Sequence, residues 1–168
     1  FEENASDTIK RWRDEASFFE VKTPWSKLLA FASRYFSIRD AASRGRGVSL
    51  ENGVNRLADE LLSALSYPIC ESSRKAIEVE PGLTVPVALE MAKANGAPLM
   101  WVLLCRNESE EDDIMEGVHF TDKSEEHTSE PLNNESLLSK VFFGMDEPPR
   151  WVMLVSLHQV ALIDRNKW

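Results

Sequence analysis

The run 98-PLMWVLLC-105 carries no charge and, after its proline, no turn-forming residue. It is short for a buried helix, and it lacks the apolar/polar alternation of a strand with one wet face. It reads as a strand covered on both sides, at the centre of a mixed or parallel sheet. Upstream, 75-KAIEVEPGLTVPV-87 predicts two short strands around the turn signal Pro81–Gly82. The stretch 87-VALEMAKANG-96 predicts a short helix closed by Gly96. Downstream, 134-NESLLSKVFFG-144 predicts a helix with Asn134 as its cap and Gly144 as its stop. Arg150 to Leu157 and Gln159 to Asp164 then predict a closing hairpin.

Residues 1–66 read as helices. Ser6 or Asp7 caps a first helix in which Ile9, Trp12, Ala16 and Phe19 recur at helical spacing. Thr23 and Pro24 start a second, because a threonine side chain can cap free N–H groups and proline at the first position lacks an N–H to lose. Trp25, Leu28, Leu29, Ala32 and Phe36 form its apolar face, and 43-SRGRG-47 ends it. Ser49 begins a third helix with Val54, Leu57, Leu61 and Leu65 inward, ending before Pro68. By spacing, Trp12, Phe18, Phe19, Trp25 and Phe31 belong mostly to the core. The fold class is therefore α/β (or α+β): a helical N-terminal half, then a small mixed β-sheet with embedded helices and a C-terminal β-hairpin. One domain accounts for residues 1–168, divided into a helical part, 1–66, and a sheet part, 67–168.

The net charge of −9 is local. Residues 106–135 hold eleven acids against Arg106 and Lys123, which leaves seventeen acids and seventeen bases for the remainder. The segment 107–134, acidic and rich in Ser and Asn, is expected to be a mobile insertion. The two cysteines, Cys70 and Cys105, are isolated in apolar surroundings, so a reducing cytoplasm is the expected compartment. No apolar run approaches the ~18 residues of a membrane span, and no membrane partner is expected.

Phosphate-loop, dinucleotide, nucleophile-elbow and zinc-protease motifs are all absent. His119, His127 and His158 are scattered, and no metal ligands are assigned. Metal-dependent nucleases place carboxylates and a lysine together so that Mg²⁺ and an activated water meet. Glu20-Val21-Lys22 has the spacing but falls between two helices. Glu78 and Glu80 share one face of a regular strand. Glu90 and Lys93, three apart on the expected helix, also fit a surface ion pair. These four are the nuclease candidates. A DNA-phosphate surface is the other candidate, with Arg34, Arg39, Arg44 and Arg46 set against Asp40 alone; a solvated helix face paired with neighbouring acids is the favoured explanation of the same residues. Lys10, Arg11 and Arg13 form a second basic cluster.

The stretches 88-ALEMAKANGAPLMWVLLC-105 and 148-PPRWVMLVSLHQVALIDRNKW-168 resemble segments near the N-terminus of large bacterial class I S-adenosylmethionine-dependent DNA adenine methyltransferases. These include single-chain restriction–modification and phage-defence enzymes. The catalytic N-P-P-[FY] motif and the glycine-rich cofactor loop are not present, so no methyltransferase residue carries over. The resemblance implies an excised N-terminal accessory domain that positions DNA or docks on a catalytic core. S-adenosylmethionine would be the parent's cofactor, with none in this fragment, and DNA and the rest of the parent chain would be the partners. A Mg²⁺-dependent endonuclease domain of the same parent is one alternative, and a protein-interaction module with an acidic recruiting loop is another.

Overall fold

A computed structural model describes residues 2–18, 21–44, 49–67, 74–107, 109–120 and 132–168. Three helices come first: α1 (Glu2–Phe18), α2 (Pro24–Ser43) and α3 (Leu50–Ala64). The Thr23 hydroxyl accepts the Ser26 N–H at 3.1 Å, and the Ser49 hydroxyl accepts the Asn52 N–H at 3.2 Å. Both caps act as the sequence predicts. The strands follow: β1 (Lys75–Glu80), β2 (Leu83–Ala92), β3 (Pro98–Arg106) and the short β4 (Val118–His119). Helix α4 (Asn134–Gly144) then leads to β5 (Trp151–Val155) and β6 (Val160–Asp164), and a 3₁₀ turn, Arg165–Lys167, ends the chain.

The sheet order is β1-β2-β3-β5-β6, with β4 also pairing with β3. β3 runs antiparallel to β2 and β4 and parallel to β5, so the sheet is mixed. A parallel neighbour requires a crossover, and α4 supplies it. Successive residues of β3 enter two cores. Met100, Val102 and Leu104 pack with Phe31 and Ile38 of α2 and with Val54, Leu57 and Leu62 of α3. Trp101, Leu103 and Cys105 pack with Leu137, Leu138, Val141 and Phe142 of α4. The result is three layers, helices–sheet–helix, with the apolar run in the middle. Burying each such side chain is worth about 1.5–3 kcal/mol, so this strand alone anchors a large share of the stability.

Several expectations are corrected. Residues 87–96 do not form a helix. Val85, Val87, Leu89 and Met91 are drawn into β2 because both its neighbours offer hydrogen-bonding edges, and a turn closed by Gly96 (φ 85°) follows. Ala88 is an extra residue at a bulge between Val87 and Leu89, which sends Val87 into the α4-side core and Leu89 into the other. The α4 cap is Asn133, whose side chain accepts the Ser136 N–H, while Asn134 is buried and donates to the Ile114 carbonyl at 2.7 Å.

The expectation of a mobile insertion is corrected where the segment is described. Residues 109–120 are folded against the domain, with Ile114 and His119 buried and β4 paired to β3; residue 108 and residues 121–131 lie outside the described residues. Of the aromatics assigned to the core, Phe31 is buried whereas Trp12, Phe18 and Trp25 are exposed; Phe19 is not described.

Helices α2 and α3 approach closely at Gly53, where a β-carbon would lie 2.4 Å from the Ala42 β-carbon. Gly53→Ala should therefore destabilise the fold by about 1–3 kcal/mol despite the gain in helix propensity, read as a lower urea midpoint. Adding Ala42→Gly should recover part of that loss.

Candidate functional site

A cleft of about 600 Å³ opens between α3 and the β1–β2–β3 side of the sheet. Pro86, Ala88, Leu104 and Phe120 give it an apolar lining, while Glu51, Asn55, Arg74 and Lys75 supply the polar groups. Arg74 is fixed by α3: its guanidinium donates to Asn55 Oδ1 and to Asp59 Oδ1, each at 2.7 Å. Asn55 and Asp59 are one helical turn apart, which puts both on the same face. That spacing is visible in the sequence, but the arginine it holds, fifteen residues beyond Asp59, is brought in by the tertiary fold.

The nuclease candidates do not converge on this cleft as a group, although Glu90 pairs with its Lys75. Glu80 makes an ion pair with Lys140 of α4. Glu78 is opposite Thr84 and accepts the Gly82 N–H across the β1–β2 turn at 3.4 Å. The strand irregularity between these two glutamates removes the regular alternation that would have paired them on one face. Glu90 is opposite Trp101 and pairs with Lys75. Lys93 is in the turn after β2, donating its backbone N–H to the Ala97 carbonyl. The central strand β3, which walls the cleft, carries one charged residue, Arg106 at its end. Among the described residues, no three His, Cys, Asp or Glu side chains are grouped to hold a metal ion. Glu20 lies outside the described residues.

The arginines of α2 are paired rather than free. Arg34 meets Glu60 of α3 at 3.0 Å, and Arg44 meets Asp40 at 3.3 Å. Arg39 stacks its guanidinium over Tyr35 and Phe36, 5.7 and 5.1 Å from the ring centres, and reaches Glu110 at 3.8 Å. Arg46 lies outside the described residues. Such surface pairs hold about 0–1 kcal/mol each, so their main effect is to cancel the local positive field. The acidic segment is itself tethered here, because Gln159 Nε2 donates to the backbone carbonyls of Glu110 and Asp112.

Cys105 and His119 face each other across β3 and β4, with Asn134 beside the thiol. Burial pushes the Cys105 thiol up to about 11, which makes it a poor nucleophile. Neither His119 ring nitrogen has a partner of good hydrogen-bond geometry. Burial lowers its pKa below the ordinary 6.5, against a smaller opposing effect from the Leu132 backbone. The C-terminal Trp168 packs edge-on against Phe142 of α4, ring centres 5.6 Å apart, so the aromatic tail folds back onto the domain. No described helix is long and apolar enough to cross a membrane.

The chain matches no protein-family model, no curated protein and no solved structure.

Because burial lowers the His119 pKa in the fold, the unfolded chain takes up this proton at a higher pH than the folded chain does. Its contribution to stability is thus complete above the ordinary 6.5 and is lost as pH falls from there toward the depressed folded value. The stability difference between the wild type and His119→Leu should therefore shift in favour of the variant on acidification. Urea titrations on both sides of the ordinary histidine value check this.

Proposed function

We propose that the chain is an accessory domain of a DNA adenine methyltransferase of the restriction–modification or phage-defence kind. It acts as a scaffold that docks on the catalytic core and has no catalytic site of its own. One observation carries this reading. The two stretches that resemble such enzymes, residues 88–105 and 148–168, are far apart in sequence but come together as adjacent strands. Their strand residues form an unbroken block, β2-β3-β5-β6, that reaches from beside β1 to the opposite edge of the sheet. A chance likeness in two short segments has no reason to coincide with one structural unit. The pairing of Arg34, Arg39 and Arg44 with acids favours docking over a phosphate grip.

The Mg²⁺-dependent endonuclease reading has the cleft in its favour, since Glu51 and Lys75 border it. Against it stands Glu80, which pairs with Lys140 of α4 and not with a cleft residue.

The encoded enzyme should methylate adenine with S-adenosylmethionine, and these 168 residues alone should give no heat with that cofactor in calorimetry. Failure of the whole gene product to bind S-adenosylmethionine would overturn the assignment. Plasmid nicking by the isolated domain in Mg²⁺, abolished by Glu51→Gln or Glu90→Gln, would replace it with the endonuclease reading. For duplex DNA, the logarithm of the domain's affinity should change by less than about one unit per decade of salt. A slope of three or more would instead make the α2 arginines a phosphate-binding surface.

A further inference from the structure

The two edges of the sheet are finished differently. β1 carries Lys75, Glu78 and Glu80 and a break in register, features that discourage a further strand from adding. β6 reads Val160-Ala161-Leu162-Ile163 before its first charge at Asp164, pairs regularly with β5, and has no described strand on its outer side. Val160 and Leu162 stand opposite Val155 and Met153, on the sheet face that α2 and α3 cover, yet they remain 51% and 57% exposed.

Helix α2 has an exposed apolar flank nearby. Its buried side holds Phe31, Ile38 and Ala42, with Arg34 reaching Glu60 and Ala42 against Gly53, so this side looks toward α3. Tyr35 next to it donates its hydroxyl to the Leu157 carbonyl in the β5–β6 turn. Continuing around the helix at about 100° per residue, Trp25, Leu29, Ala32 and Phe36 fall on the flank turned away from α3. Trp25, Leu29 and Phe36 are 62%, 57% and 53% exposed. With Ala32 included the spacing is four, three and four, that of a helix–helix seam, and the exposed Ala30, Ser33 and Ser37 of the same helix are small and uncharged. Arg39 borders this flank, its guanidinium over the Phe36 ring, and is paired with Glu110.

We propose that the β6 edge and this flank of α2 form a self-association surface, which a second copy of the chain occupies. The two β6 strands pair antiparallel about a two-fold axis through Leu162, normal to the sheet. Ala161 of each copy then faces Ile163 of the other. An axis in that direction keeps both α2 helices on one side of the joined sheet with their apolar flanks facing. The area fits: the five exposed side chains offer roughly 500 Å² of apolar surface per copy. A standard interface buries about 800 Å² per partner, a little over half of it apolar. An isologous contact needs a self-complementary patch, and an apolar strand edge beside an apolar helix flank is one. This inference stands apart from the methyltransferase reading and needs only this chain.

Sedimentation velocity of the 168-residue chain, from low to high micromolar concentration, should show a dimer of twice the 19.1 kDa chain mass. Leu162→Lys and, separately, Phe36→Glu should each weaken association at least about tenfold while the circular dichroism spectrum is unchanged, because both side chains are exposed. As a second readout, Leu162→Cys in a Cys70→Ser background should form a disulfide-linked dimer on mild oxidation. Opposed residues on an antiparallel pair lie about 4.5–5.5 Å apart, within disulfide reach. A wild-type chain that stays monomeric throughout, or a Leu162→Cys chain that does not cross-link, would overturn the proposal. Dissociation by Leu162→Lys but not by Phe36→Glu would remove α2 from the interface.

Discussion

Everything in this domain is arranged around the requirement that β3 be dry on both faces. A strand with Met100, Val102 and Leu104 on one side and Trp101, Leu103 and Cys105 on the other loses hydrophobic free energy unless both faces are covered. Helices α2 and α3 meet the first demand and α4 the second. The position of α4 in the chain follows from this. β5 can lie beside β3 in parallel only if the connection crosses a face, and the helix making the crossing is the one that covers it.

Against that rigid centre, irregularities at the periphery decide where polar groups go. The bulge at Ala88 lets β2 serve both cores and leaves Glu90 opposite Trp101, with Lys75 as its partner. The break in β1 separates Glu78 from Glu80. Arg74, just before β1, is gathered in by two α3 side chains, which leaves a cleft beside it with a mainly apolar lining. Carboxylates that look abundant along the chain are thus used singly, each in its own pair or turn.

The acidic segment shows how local order overrides composition. Its charge density alone argues for a detached loop. Yet Ile114 enters the α4-side core, Asn134 takes the Ile114 carbonyl, Gln159 takes two more carbonyls, and β4 adds to β3. A few buried contacts and satisfied backbone groups fold residues 109–120, although their acids remain at the surface.

The sequence by itself determined the central strand and its cover on both faces, because an uncharged eight-residue run has one economical placement. It also determined the helix starts at Thr23 and Ser49, where capping is local chemistry, and the turn at Gly82, where φ of 82° favours glycine. The strand character of Val85 to Met91 was present as alternation, but it competed with a helix-forming composition, and only neighbouring strands resolved it in favour of β2. Which apolar stripe of α2 is buried was not legible, since Trp25–Leu29–Phe36 and Phe31–Ile38–Ala42 are equally good helical faces. Packing against α3 chose the second. The partners of Arg34, Arg39, Glu80 and Glu90 were illegible for the same reason. A charge finds its counterion through space, and Glu60, Glu110, Lys140 and Lys75 come near only after the sheet and its two helical layers have closed.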